Sequence, residues 1–120
     1  MSHIVSIKTQ VKDSVAIQAA CRRLKLPDPQ QRTVTLFSRE VTGLAVELPH
    51  WKYPVVCDIA SGEVKYDNFK GRWGDESQLH RFLQAYAVEK ARIEARKQGH
   101  SVQEQTLADG SVRLQIAVAG

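Results

Sequence analysis

This sequence of 120 residues contains few of the patterns that usually indicate a chemical activity. Its two cysteines, Cys21 and Cys57, are far apart and lack the C-x-x-C spacing, and no two of its four histidines have the i, i+4 spacing of a helical zinc site. No glycine-rich phosphate-binding motif is present. We therefore predict that the protein is not an enzyme and has no catalytic residue, metal site or cofactor. A nucleophilic Cys57 beside a distant histidine is the catalytic alternative.

Long apolar runs are also missing, since none approaches the ~20 residues that a membrane-spanning helix needs. The first ten residues, MSHIVSIKTQ, lack the apolar segment of a signal peptide. We therefore expect a cytoplasmic protein without a membrane partner, in which both cysteines are buried free thiols. The length predicts one domain over residues 1–120. The net charge of +4 permits an anionic partner without requiring one.

The stretch from residue 75 to residue 99 has the features of one long helix. Asp75 is a typical N-cap residue, Gly99 stands where a left-handed residue ends a helix, and neither proline nor glycine lies between them. Lys90 falls on the apolar face, either with its ammonium reaching water or as a partly buried cation facing a carboxylate or an anionic ligand. The apolar residues of that face recur at three- and four-residue steps and are Leu79, Phe82, Leu83, Tyr86 and Ile93.

The rest of the chain predicts a second, shorter helix and seven strands. The helix begins at Asp13 or Ser14 and ends before the prolines of the Leu26-Pro27-Asp28-Pro29 segment. Its buried face consists of Ile17, Ala20, Cys21 and Leu24. Alternating apolar residues predict strands within residues 3–11, 33–36, 44–48, 53–59 and 63–69, with a turn at residues 38–40 and the strand at 53–59 in the centre of the sheet.

The chain then closes with a predicted hairpin. Asp109-Gly110 is a strong hairpin turn signal, and the arms are residues 102–107 and a strand whose inward row is Val112, Leu114, Ile116 and Val118. The element order is thus β-α-β-β-β-β-α-β-β. Short connections in this order predict an α+β fold, in which a mostly antiparallel sheet carries both helices on one face.

Three segments resemble a family of small proteins of unknown function, the hypothetical chloroplast reading frame thirty-five family of cyanobacteria, plastids and other bacteria. The segments are MSHIVSIKTQ at the start, FLQAYAVEKARIEARKQGH in the long helix and QEQTLADGSVRLQI at the end. The middle, residues 27–74, departs more from the plastid pattern, so we expect a bacterial member. The resemblance implies a compact α+β fold and supplies no activity, cofactor or catalytic residue.

The loop before the long helix, residues 68–75, has the most unusual local composition. Its two glycines allow close backbone approach, and Arg72 and Trp73 are residues that anchor protein partners. A strand-to-helix connection in which Trp73 covers the core is the structural alternative.

We predict a non-catalytic protein-interaction or assembly module whose partner is another protein, and we leave its oligomeric state open. The alternative is a nucleic-acid-binding domain that uses basic helix faces and exposed aromatic rings. Interleaved glutamates on the long helix weigh against that alternative, because mixed charge is typical of a solvated face. The candidate partner-binding residues are Trp51, Tyr53, Tyr66, Arg72, Trp73, Lys90, Arg92 and Arg96.

Overall fold

A computed structural model describes residues 5–7, 10–36 and 39–118 of the chain. It contains two α-helices and seven strands in the predicted order, which confirms the α+β fold. One turn of 3₁₀ helix, Phe69–Gly71, precedes the second α-helix. The elements are β1 (Val5–Ile7), α1 (Ser14–Arg23), β2 (Gln30–Leu36), β3 (Arg39–Val46), β4 (Val55–Asp58), β5 (Glu63–Tyr66), α2 (Glu76–Lys97), β6 (Ser101–Thr106) and β7 (Val112–Ala117).

The two helices begin where the sequence predicts. Asp13 caps α1 by accepting hydrogen bonds from the backbone N–H groups of Val15 and Ala16, and Asp75 caps α2 by accepting one from Ser77. Gly99 has a φ of 78°, so the long helix ends in the left-handed conformation expected of its glycine. These caps satisfy backbone donors and acceptors that a helix end leaves unpaired.

Five strands form one antiparallel sheet in the order β1-β5-β4-β3-β2. The predicted central position of β4 is therefore confirmed. Neighbouring residues on the strands point to opposite faces, which divides the core into two clusters. On one face, residues such as Val46, Cys57 and Val64 pack against Ile17 of α1 and Phe82 of α2. Both helices therefore cover the same face of this sheet.

The opposite face of the sheet carries a second, smaller apolar cluster. It is formed by β2, β3 and β4, and the ring of Tyr53 packs against it. Leu36 and Val56 in this cluster are completely buried. The face without helices is therefore also covered, and its cover includes the segment that follows β3. The members of the cluster are Val34, Leu36, Val41, Ala45 and Val56.

The final hairpin is present, but β6 and β7 form a two-stranded sheet of their own that contacts α2. The predicted inward row is only partly inward. Val112 and Leu114 are half-buried, whereas Ile116 is 44% exposed and Val118 is 72% exposed. The prediction of a fully inward row was wrong for Ile116 and Val118, because the contact between α2 and the hairpin does not cover these two side chains.

Several predicted strand boundaries also differ from the structure. Strand β4 is shorter than the predicted residues 53–59, and β5 ends at Tyr66 because Phe69 adopts a positive φ that a strand does not allow. Of the predicted turn at residues 38–40, residues 39 and 40 belong to β3. Residues 37–38, and residues 1–4 and 8–9 around the first strand, lie outside the described part of the chain.

No α-helix within the described ranges combines the length and apolar composition needed to cross a lipid bilayer.

Candidate functional site

Two loops meet at one edge of the sheet and are joined by hydrogen bonds. They are residues 47–54, between β3 and β4, and residues 67–75, between β5 and α2. The backbone N–H of Lys52 donates to the carbonyl of Trp73 at 2.8 Å, and the indole Nε1 of Trp51 donates to the carbonyl of Asp75 at 3.0 Å. The Trp51 ring lies directly on Gly74, where any side chain would overlap it. These contacts fix the two loops relative to each other.

The residues on either side of Lys52 belong to different faces of the sheet. Trp51 packs against the helix-side core and meets the ring of Tyr66 edge-on, with 5.6 Å between the ring centres. Tyr66 is buried, and this burial raises the pKa of its hydroxyl. Trp51 and Tyr66 are two of the predicted site residues. In the structure they pack in or against the core and do not form an open surface.

Tyr53, on the opposite face of the sheet, belongs to a cluster of rings and cations that we call the Trp73 patch. The ring of Trp73 meets Tyr53 edge-on at 5.7 Å and stacks on Phe69 at 4.7 Å. The ammonium of Lys52 lies 4.4 Å from the centre of the Trp73 ring, and the guanidinium of Arg72 lies 5.1 Å from that of Phe69. These distances are within the range of cation–π attraction. The patch consists of these five residues.

The backbone beneath the patch has an unusual conformation. Phe69 and Lys70 have φ values of 46° and 54°, a region that costs a residue with a side chain roughly 1–2 kcal/mol. Gly71 follows with a φ of 94°. Strained backbone of this kind persists only where the surrounding structure enforces it, and it is often found at functional sites.

Two buried polar residues enforce this turn. Asp67 is completely buried, and its Oδ1 accepts a hydrogen bond from the N–H of Phe69 at 3.1 Å. The carbonyl of Asn68 accepts from the N–H groups of Gly71 and Trp73, at 3.0 and 2.9 Å. Oδ2 of Asp67 is buried without a hydrogen-bond partner among the described residues. A buried carboxylate oxygen without a partner is energetically unfavourable, so the turn keeps its shape at a cost in stability.

Three cations lie in the Trp73 patch or in the turn beneath it. Within the described ranges, Lys52, Lys70 and Arg72 form no ion pair, and all three are exposed. Their positive charge is therefore not neutralised locally and is available to an anionic group outside the chain.

The predicted cations of α2 are in a different situation. The ammonium of Lys90 lies 2.9 Å from Glu94 and 3.0 Å from Asp13, and its hydrogen bonds to Glu94 and Asp13 raise the pKa of Lys90. Lys90 is therefore a partly exposed cation that faces two carboxylates and ties α2 to the N-cap of α1. Arg92 pairs with Glu104 at 2.6 Å, and Arg96 is exposed in the last turn. No described contact joins these three residues to the Trp73 patch.

Neither cysteine has the surroundings of a nucleophile. Cys57 and Cys21 are free thiols that are completely buried in the helix-side core. Burial raises the pKa of the Cys57 thiol to about 12 and that of the Cys21 thiol to about 11. A nucleophilic cysteine needs a lowered pKa and access to substrate, so this environment favours packing over catalysis. In the described part of the chain, no three His, Cys, Asp or Glu residues are grouped to hold a metal ion.

From the sequence, Tyr53, Arg72 and Trp73 are separate candidates, Tyr53 in a strand and the other two in a loop, and the structure brings them together. Three further residues of this site were not among the candidates. Lys52 stands between two aromatic residues, and this alternation is a signal for a cation placed against rings. Phe69 was placed at the end of a predicted strand and in the loop of residues 68–75, but it was not selected. Asp67 gives no signal in the sequence, because its burial depends on the tertiary structure.

The chain matches no known protein family, no curated protein and no solved structure with which it was compared.

Proposed function

We propose that this protein is a non-catalytic interaction module that binds another protein through the Trp73 patch. The observation that carries the proposal is the contact cluster of three aromatic rings with two cations, neither of which forms an ion pair with a described residue. Tryptophan, tyrosine and arginine are the residues most enriched where protein interfaces obtain their binding energy.

The rigidity of the patch supports the same function. Its rings are held by the hydrogen bond between the two loops and by the turn over Asp67. Side chains that are already ordered lose little conformational entropy on binding, so more of the contact energy remains as affinity.

The charge of the patch favours a partner surface with carboxylates. Lys52 and Arg72 would exchange contact with water for ion pairs at the edge of the interface, while the rings supply its apolar centre. Nucleic acid is the less favoured anion, because part of the basic helix faces on which that alternative depends is already paired with a carboxylate. Arg92 of α2 and Arg23 of α1 both pair with Glu104.

We also propose a cytoplasmic location and membership of the chloroplast reading frame thirty-five family, in its bacterial branch. The three resembling segments support the family, and the two buried free cysteines are typical of proteins from reducing compartments.

The test is capture of partners from a native lysate with tagged protein. Arg72→Glu reverses one charge of the patch at an exposed side chain, and we expect it to lower recovery of the bound protein by about tenfold. The matched control is Arg96→Glu, which makes the same change at an exposed position of α2 outside the patch and is expected to leave recovery unchanged.

Circular dichroism melting of both variants establishes that the fold is intact. Equal losses in Arg72→Glu and Arg96→Glu would contradict binding through the patch. Recovery of nucleic acid alone, abolished by nuclease and by salt, would instead favour the nucleic-acid alternative.

A further inference from the structure

The hairpin of β6 and β7 is the least protected sheet in the molecule. It has two strands, and no strand in residues 5–7, 10–36 or 39–118 pairs with its outer edges. Each outer edge therefore presents backbone N–H and C=O groups without a strand partner, and such an edge is a template for another strand. A two-stranded sheet is also only marginally stable, and pairing with further strands stabilises it.

The only charged side chain of strand β7 is Arg113, and other devices that normally block edge pairing are missing from this strand. It contains no proline and no carboxylate, and its register with β6 is continuous from Val112 to Ala117, without a bulge. Two apolar side chains are exposed on this strand and directly after it, namely Ile116 and Val118. Strand β6 also carries one charged residue, Glu104, but none of its side chains is both large and apolar and exposed.

We propose that β7 pairs antiparallel with β7 of a second copy of this chain, so that the two hairpins form one four-stranded sheet across a two-fold axis. The occupant is a second copy because β7 is complementary to itself in one register. With Gln115 on the axis, residues whose numbers sum to 230 lie opposite each other, so Ile116 faces Leu114 of the second copy and Val118 faces its Val112.

This register accounts for each exposed apolar side chain of the strand. Antiparallel pairing keeps residues of equal parity on one face, so the apolar row of each copy continues into that of the other. Arg113 faces Ala117 of the second copy, which keeps the two guanidinium groups apart. A register centred on Leu114 would place Val118 opposite Gly110 of the turn, and one centred on Arg113 would place two arginines against each other. A register centred on Ile116 would move Val112 past Val118, the last described residue, so that Val112 would lose its apolar neighbour.

The first test measures the mass of the wild-type protein in solution by light scattering, over a roughly hundredfold range of protein concentration. We expect twice the chain mass at high concentration. Ile116→Lys places a charge on the pairing face and should give a monomer at every concentration. The matched control is Val15→Lys, at a 62% exposed valine on α1, which should dimerise as the wild type does.

The second test uses a cysteine in the strand and does not depend on the lysine variants. Residues directly opposite in antiparallel strands have Cα atoms about 4.5–5.5 Å apart, which suits a disulfide. Gln115→Cys should therefore form a dimer on mild oxidation. Gln103→Cys, opposite Gln115 within the hairpin but one strand further from the axis, should not. The native cysteines are completely buried and provide a low background.

A wild-type monomer at all concentrations would overturn the proposal. A dimer that survives Ile116→Lys, or equal cross-linking of Gln115→Cys and Gln103→Cys, would place the interface elsewhere and overturn it equally.

Discussion

Two regions of this molecule are held together by different forces. The body, formed by the five-stranded sheet and the two helices, has a core of completely buried apolar side chains that includes Ile17, Leu36, Val56 and Phe82. The hairpin of β6 and β7 has no residue that is buried to the same extent between positions 101 and 118. Its best-covered apolar side chains, Val102, Leu107, Val112 and Leu114, are half-buried.

Charge takes the place of apolar burial at the hairpin. Glu104 of β6 accepts hydrogen bonds from Arg23 of α1 at 2.7 Å and from Arg92 of α2 at 2.6 Å, and Arg23 also pairs with Glu89 at 2.8 Å. These four side chains are mostly shielded from water. The bond to Glu104, followed by that to Glu89, raises the pKa of Arg23, while the bond from Arg23 lowers the pKa of Glu104.

The difference has a consequence for how the molecule opens. Apolar burial is not directional and depends little on salt or pH, whereas a charge network requires ionised partners in a fixed geometry. We therefore expect the hairpin to separate from the helices at a lower free energy than the body requires to unfold.

The largest effect is expected from a methyl group added to the body. A Cβ on Gly43 of β3 would lie 2.6 Å from the carbonyl oxygen of Cys57 on β4, so the backbones of two central strands must move apart. We predict that Gly43→Ala lowers the free energy of unfolding by about 2–3 kcal/mol, measured by urea denaturation.

The counterpart in the hairpin is Gly110→Ala. Gly110 has a φ of 88°, and a Cβ added there would meet no neighbouring atom. The cost of the substitution therefore comes only from the left-handed backbone conformation, which strains a residue with a side chain. We expect a loss of about 1 kcal/mol that is confined to the hairpin and is seen as faster amide hydrogen exchange in β6 and β7. Equal global destabilisation by the two variants would contradict the separation into two regions.

A smaller effect is expected when the charge of Glu104 is removed. Glu104→Gln keeps the shape of the side chain but removes the carboxylate that Arg23 and Arg92 share. We predict that the opening free energy of the hairpin falls by about 1 kcal/mol, which is roughly a fivefold faster exchange of its amides, while exchange in the body stays unchanged.

The control for this variant is Asp28→Asn. Asp28 forms a single, exposed ion pair with Arg22 at 3.5 Å, and such pairs contribute almost nothing to stability. Unchanged hairpin exchange in Glu104→Gln would mean that the half-buried apolar residues alone hold the hairpin.

The same contrast explains what could be predicted from the sequence. The caps at Asp13, Asp75 and Gly99 and the element order follow from local patterns, because a cap or a periodic face depends on residues a few positions apart. The separate sheet of the hairpin could not be predicted. Its alternation fits a strand in either sheet, and its position depends on a contact between Glu104 and Arg23, which are 81 residues apart.

The candidate site was predictable to a similar extent. The composition of residues 68–75 marked the loop, so Arg72 and Trp73 were found. Nothing local indicated that Trp51 and Tyr53 lie on opposite faces of the sheet, or that Lys52 rests on the ring of Trp73. Phe69 has a strong preference for strands, and the tertiary structure overrides it with a turn that bonds to Asp67 and Asn68 stabilise.

The smallest effect is the pH dependence of the hairpin, to which Glu104 contributes together with Asp109 of the turn, whose pKa is lowered by its hydrogen bonds with Ser111. Arg23 is the main cause that lowers the pKa of Glu104, so the folded value lies below the unfolded value of about 4.3. A lowered carboxylate pKa stabilises the folded hairpin fully above the unfolded pKa, and the contribution disappears as the pH falls through the folded pKa.

Asp13 and Glu94 also have lowered pKa values in the body, through Lys90, so acid weakens both regions. For Asp13 burial acts in the opposite direction and is outweighed by the bonds it accepts. Glu104→Gln separates the two contributions. Between about pH 6 and pH 3, the difference in hairpin exchange between the wild type and the variant should become smaller as the pH falls, because the carboxylate of Glu104 becomes protonated in the wild type only. A constant difference between the two proteins over this range would show that Glu104 is not the titrating group, because only a carboxylate that becomes protonated makes the wild type equivalent to glutamine.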